Sequence, residues 1–155
     1  MMLKTCEFIS ILLAALVSGM FLGPWAALTR SMDTFPPEVF LPLVKRMNRN
    51  MAQIMTPLMP AALLAILPVL YLSYAMQPRT FYLTLAAFVL LLIALLVTMA
   101  VEVPIVRQIS TWNLATMPDN WQQLRDRWGA FHLIRILAGL GALVLLAFAA
   151  IFLPG

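Results

Sequence analysis

Trp121, Arg125, Trp128, His132 and Arg135 stand in the stretch WQQLRDRWGAFHLIR at steps of four, three, four and three. On an α-helix those steps return to one face. A single stripe therefore carries two indoles, two guanidiniums and the protein's one histidine. An imidazole with an ordinary pKa of about 6.5 can take a proton near neutral pH. A guanidinium can hold an oxyanion, and indole faces can stack on flat rings. The same stripe also reads as plain structure, because aromatics at helical spacing fill cores and arginines beside apolar spans anchor at the interface.

The elements that must position this stripe are apolar. Of 155 residues, 63% are hydrophobic and 10% charged, against about 25% charged in a soluble domain. That composition, with several long uncharged runs, places the chain in a lipid bilayer. The length suits one helical unit, residues 1–155, with no separate soluble domain. The net charge of +4 comes from basic residues that flank apolar spans, which argues against nucleic acid as a partner. Cys6 is the single cysteine, so an intramolecular disulfide or a cysteine metal cluster is excluded.

Four spans are expected, at about residues 8–28, 54–76, 81–101 and 130–153. In the first, Gly19 and Gly23 form a G-x-x-x-G step that would let another helix approach closely. Pro36 and Pro37 mark the start of a lead-in helix in which Phe40, Val44, Met47, Met51 and Ile54 recur at helical spacing. Asn48 borders that apolar stripe and can face the bundle interior. The second span holds Pro57, Pro60 and Pro68, which bend a helix and can open a space between helices.

The third span ends in VEVPI, and Pro104 is expected to stop it at Val103. Glu102 would then lie at a helix C-terminus, the wrong end of the dipole for a carboxylate. It calls for a cation from another helix, and Arg125, His132 and Arg135 are available. The connector from Ile105 to Pro118 carries Arg107, Trp112 and Asn113. Asp119 and Gln122 have capping-box spacing at the head of the last helix, which enters the hydrocarbon near Ala130. There His132 and Arg135 are expensive unless paired. Eight of the ten lysines and arginines flank the first–second and third–fourth connections, so the positive-inside rule puts both long connections in the cytoplasm.

The segments VEVPIVRQISTW and DNWQQLRDRWGAFHLIR, together with SGMFLGPW, KRMNRNM and a glycine-bearing last span, resemble the anthrone oxygenase-like family of small four-span membrane proteins. The resemblance implies an all-α fold, an integral membrane four-helix bundle with amphipathic helical extensions on one side and polar residues grouped at one end. It also implies a bacterial inner-membrane location and oxidation of an anthrone by dioxygen. Many relatives carry Asn at the positions of Glu102, Val106 and Arg107.

Three functions follow. The first is a cofactor-independent oxygenase of a phenolic polycyclic or quinone-like substrate, an apolar aromatic small molecule arriving from the lipid. His132 would be its base, and Arg125 or Arg135 its enolate holder. Glu102 would orient His132 or hold an arginine, and Trp112, Trp121, Trp128 and Asn48 would bind substrate. The second is a non-catalytic protein whose polar stripe is a structural or partner-binding lock. The third is a quinone- or haem-binding redox component, for which one histidine cannot supply two axial imidazoles, although a pair of chains or a methionine could complete the set. A metal site is not expected from one histidine without a nearby carboxylate pair.

Overall fold

Runs this apolar must satisfy their own backbone groups in lipid, and helices do so internally. The computed structural model describes residues 1–153 and holds helices α1 (Met2–Ala27), α2 (Pro37–Ser73), α3 (Pro78–Val97), α4 (Val103–Thr111) and α5 (Trp121–Phe152). A 3-10 turn at Thr29–Thr34 joins α1 to α2, and a π turn at Thr98–Glu102 joins α3 to α4. Four helical segments are long and apolar enough to cross a membrane: Met2–Thr34, Pro37–Ser73, Pro78–Thr111 and Trp121–Phe152. They form a ring in which α1 packs on α2 and α5, and α3 packs on α2 and α5. The fold is an all-α four-helix membrane bundle.

Small residues let the helices close in. Ala14, Ala62, Ala87, Ala94, Ala138 and Ala142 fill the centre with Val17, Phe21, Ile66 and Leu91. The expected approach at Gly19 and Gly23 is not made, since a Cβ at either would meet nothing within 4 Å. Gly139 makes it instead: a Cβ there would sit 3.3 Å from both Phe21 Cδ2 and Ser18 Oγ, so α5 lies against α1 at this level. Large side chains such as Leu64, Leu96, Leu137 and Val144 are exposed around the outside, as a lipid-facing surface requires.

The helices carry a further packed cluster at one end of the bundle. There Met32, Phe40, Val44, Ile105, Ile109, Trp112 and Trp128 form a second core. α2 is one rod of 37 residues, with Pro37 as its first residue, so the amphipathic lead-in continues straight into the second span. Pro104 does not end the third span. The Val103 N–H donates to Thr98 O, five residues back, and the widened turn accommodates a ring that has no N–H and crowds the carbonyl four residues before it. Burial of Ile105 and Ile109 in the second core holds the helix on to Thr111. The cap expected at Asp119 is also not made. Asn120 occupies the N-cap position of α5 without a side-chain hydrogen bond, and its carbonyl accepts from Gln123 and Leu124.

Candidate functional site

The π turn and the middle of α5 face one another where the two cores meet. Arg135 Nη2 lies 2.8 Å from Glu102 Oε2, and Nη1 donates to Thr98 Oγ1 at 3.2 Å. Arg135 Nη2 is also 2.6 Å from His132 Nδ1. His132 Nε2 is 3.1 Å from Phe21 O on α1. A carbonyl only accepts and a guanidinium only donates. The pattern therefore assigns the neutral imidazole with its hydrogen on Nε2, donating to Phe21 O and accepting at Nδ1 from Arg135. Trp128 stacks on the imidazole at 5.7 Å with an 18° interplanar angle, and the Phe21 ring lies 4.9 Å beneath the Arg135 guanidinium. The network ties α1, the π turn and α5 together.

Sequence dictates this convergence in part. Trp128, His132 and Arg135 share a helical face, and that face is turned inward. Glu102 pairs with Arg135, one of the expected cations, although the helix does not end beside it and burial, not a helix terminus, is what makes the lone carboxylate costly. Glu102 and His132 are both buried. The carboxylate is not fully satisfied, because Glu102 Oε1 has no hydrogen-bond partner. Trp128 lies close to this carboxylate, but its buried Nε1 falls short of hydrogen-bond geometry and is also unpartnered.

Beside the network is a cavity of about 510 Å³, within the range of small-molecule sites. Glu102, His132, Arg135, Trp128 and Asn48 all line it. Met47, Met51, Met55 and Met59 line its α2 wall at four-residue steps, and Leu95 and Met99 lie opposite. Ala52, Thr56 and Met99 are exposed, which places the mouth between α2 and the α3–α4 rod. Asn48 Nδ2 is buried without a partner.

Three expected site residues lie elsewhere. Arg125 pairs with Asp126 at 2.8 Å and rests over the Trp121 ring at 5.3 Å. Trp121 packs against Phe40. Trp112 is buried in the second core, and its carbonyl accepts from Lys45 Nζ. Arg125 and Trp121 begin the stripe of α5 but sit one to two turns before the cavity, among the extensions. Thr98, Arg107 and the methionine wall are cavity residues that the sequence reading did not single out. The four-residue spacing from Met47 to Met59 was the available signal, but it looks the same for packing.

A helical bundle with a buried acid–arginine–imidazole network on an apolar cavity defines a membrane protein with a built polar site. The family model for anthrone oxygenase matches residues 46–145, and the chain belongs to that family. The matched stretch takes in Asn48, Glu102, Trp128, His132 and Arg135. No curated protein matches the chain, and no solved structure does.

Proposed function

We propose that the protein oxidises a flat phenolic ring ketone of the anthrone type to the corresponding quinone with dioxygen, without a cofactor. The supporting observation is the unpartnered Glu102 Oε1, buried on an apolar cavity beside a guanidinium. In the net reaction a ring CH2 and O2 become a ring C=O and H2O.

Glu102 is the proton acceptor in this reading. The Nδ1 lone pair of His132, which a base would use, is engaged by Arg135, so His132 is a positioning residue that fixes the guanidinium. When the substrate C–H proton passes to Glu102, the carboxyl becomes neutral and the negative charge moves to the substrate enolate. Arg135 then faces the enolate instead of the carboxylate, so the cation keeps an anionic partner throughout. The enolate gives an electron to dioxygen, and recombination of the radical pair leaves a peroxide anion. Protonated Glu102 returns its proton to form the hydroperoxide, which loses water to give the ketone and leaves the carboxylate restored. Trp128 Nε1 and Asn48 Nδ2 are free donors for substrate oxygens, and the methionine wall adapts to a ring face. Substrate enters from the lipid, and the long connections lie in the cytoplasm of a bacterial inner-membrane protein.

The satisfied hydrogen bonds of His132 favour a second reading, a structural lock that joins α1, the π turn and α5. The test is turnover by the purified protein in detergent, with anthrone as substrate. The oxygenase reading expects anthraquinone with one O2 consumed per ketone formed, at a rate above the spontaneous oxidation. Folded protein that leaves the spontaneous rate unchanged for anthrone and its hydroxylated derivatives leaves only the lock.

A further inference from the structure

A second recess of about 300 Å³ adjoins the cavity, and the two share Asn48, Ala52 and Val106. It sets cations among the apolar side chains of Ala52, Val106 and Ile109. Lys45 and Arg49 line it together with Ser110, and Arg107 lies on the adjacent rim of the cavity. Neither Lys45, Arg49 nor Arg107 forms an ion pair among the described residues. The single acid on either lining, Glu102, is taken by Arg135. Two cations of α2 therefore stand on this recess and one of α4 on its rim, none paired with an acid, although the Lys45 ammonium donates to Trp112 O. Asn48 stands at the junction with its buried amide donor unpartnered.

We propose that this recess seats an anionic group, a carboxylate or a phosphate, borne on an amphiphile whose apolar body occupies the adjoining cavity. Guanidinium groups suit both anions. Under the oxygenase reading, on which this assignment of the body rests, the amphiphile is a ring substrate with an acidic substituent. The same chemistry is offered by the headgroup of an anionic phospholipid. Cations that serve only to orient the chain in the membrane need no concave site and would not distinguish a bound acid from its amide.

The experiment compares 2-anthracenecarboxylate with its neutral carboxamide, binding each by fluorescence to the full-length protein in a neutral detergent. The carboxylate is expected to bind about tenfold tighter, the value of one charge-assisted hydrogen bond, with the margin shrinking as salt is added. Arg49→Gln combined with Arg107→Gln should bring the two affinities within about twofold, while an unchanged unfolding midpoint in detergent reports an intact fold. Arg49→Lys with Arg107→Lys should keep most of the margin. Equal affinities in the unaltered protein, or a margin that survives the glutamine pair, overturn the proposal.

Nanodiscs distinguish the two sources of the anion. Competition by phosphatidylglycerol but not phosphatidylcholine, lost in the glutamine pair, identifies a lipid headgroup; no competition identifies an acidic substrate. Anthrone turnover on the same preparations separates the two claims. A preference for the carboxylate without turnover keeps the recess and removes the oxygenase. Turnover with equal binding does the reverse.

Discussion

Two levels of the bundle each bury a glutamate beside a basic residue, and the two differ in what surrounds them. At the end bearing the termini, Glu7 pairs with Lys4 at 3.1 Å, one turn away on the same helix, and the lysine side chain is 48% exposed. Lys4 also donates to Ala150 O on α5. Where the two cores meet, Glu102 pairs with Arg135 from a different helix, whose side chain is only 11% exposed. Both glutamates have carboxylate oxygens without hydrogen bonds. A buried acid therefore does not by itself mark a site. Glu102 differs in having a shielded cation held by further partners, and in lining a cavity where a ligand can reach it.

The comparison is broken most decisively by removing one acid at a time. Glu102→Gln should lower anthrone turnover by about 100-fold or more, the range for a lost general base, whereas Glu7→Gln should leave it within about twofold. Oxygen uptake with purified variants measures both, and similar losses from both would end the distinction. Removing the cations comes next. Arg135→Met strands a buried carboxylate and should destabilise the protein by about 3–5 kcal/mol, and adding Glu102→Gln should recover much of that. Lys4→Met removes an exposed partner and should cost under about 1 kcal/mol. Unfolding in mixed detergent micelles compares them.

Two smaller effects sharpen the picture. Met55→Trp narrows the cavity and should raise KM for a three-ring substrate about tenfold with kcat little changed, since it removes ground-state and transition-state binding alike. Leu64→Trp, on the exposed outer face of the same helix, should change neither. The smallest effect concerns the glycines. Gly139→Ala presses on Phe21 and Ser18 and should cost about 1 kcal/mol, whereas Gly19→Ala, with open space around it, should be neutral or slightly stabilising. A larger loss at Gly19 would mean that its face is covered by a partner in the membrane.

Hydropathy and helical periodicity were enough to give four apolar helices, the amphipathic lead-in that flows into α2, and a common face for Trp128, His132 and Arg135. The pairing of Glu102 with a cation of α5 was legible, but its ground, a helix end at Val103, did not hold, and burial in the bundle supplies the cost instead. Two inferences failed for one reason, that local signals were judged without their neighbours. Pro104 was a helix stop by local sterics, but a π turn relieves the clash and the second core rewards continuation. Gly19 and Gly23 had the spacing of a contact, but their face is turned away from the bundle.

The sequence by itself determined the class of protein, since the period and length of apolar runs are properties of the chain read one helix at a time. It also determined which side chains share a helical face. Only the tertiary structure decided that this face splits, with Trp121 and Arg125 packed among the extensions while Trp128, His132 and Arg135 line a cavity. It alone matched Asn48 and four methionines of α2 to the far wall. Which faces meet depends on how four helices rotate and stack around one another. That outcome is settled by packing between residues distant in the chain, and no single helix carries it.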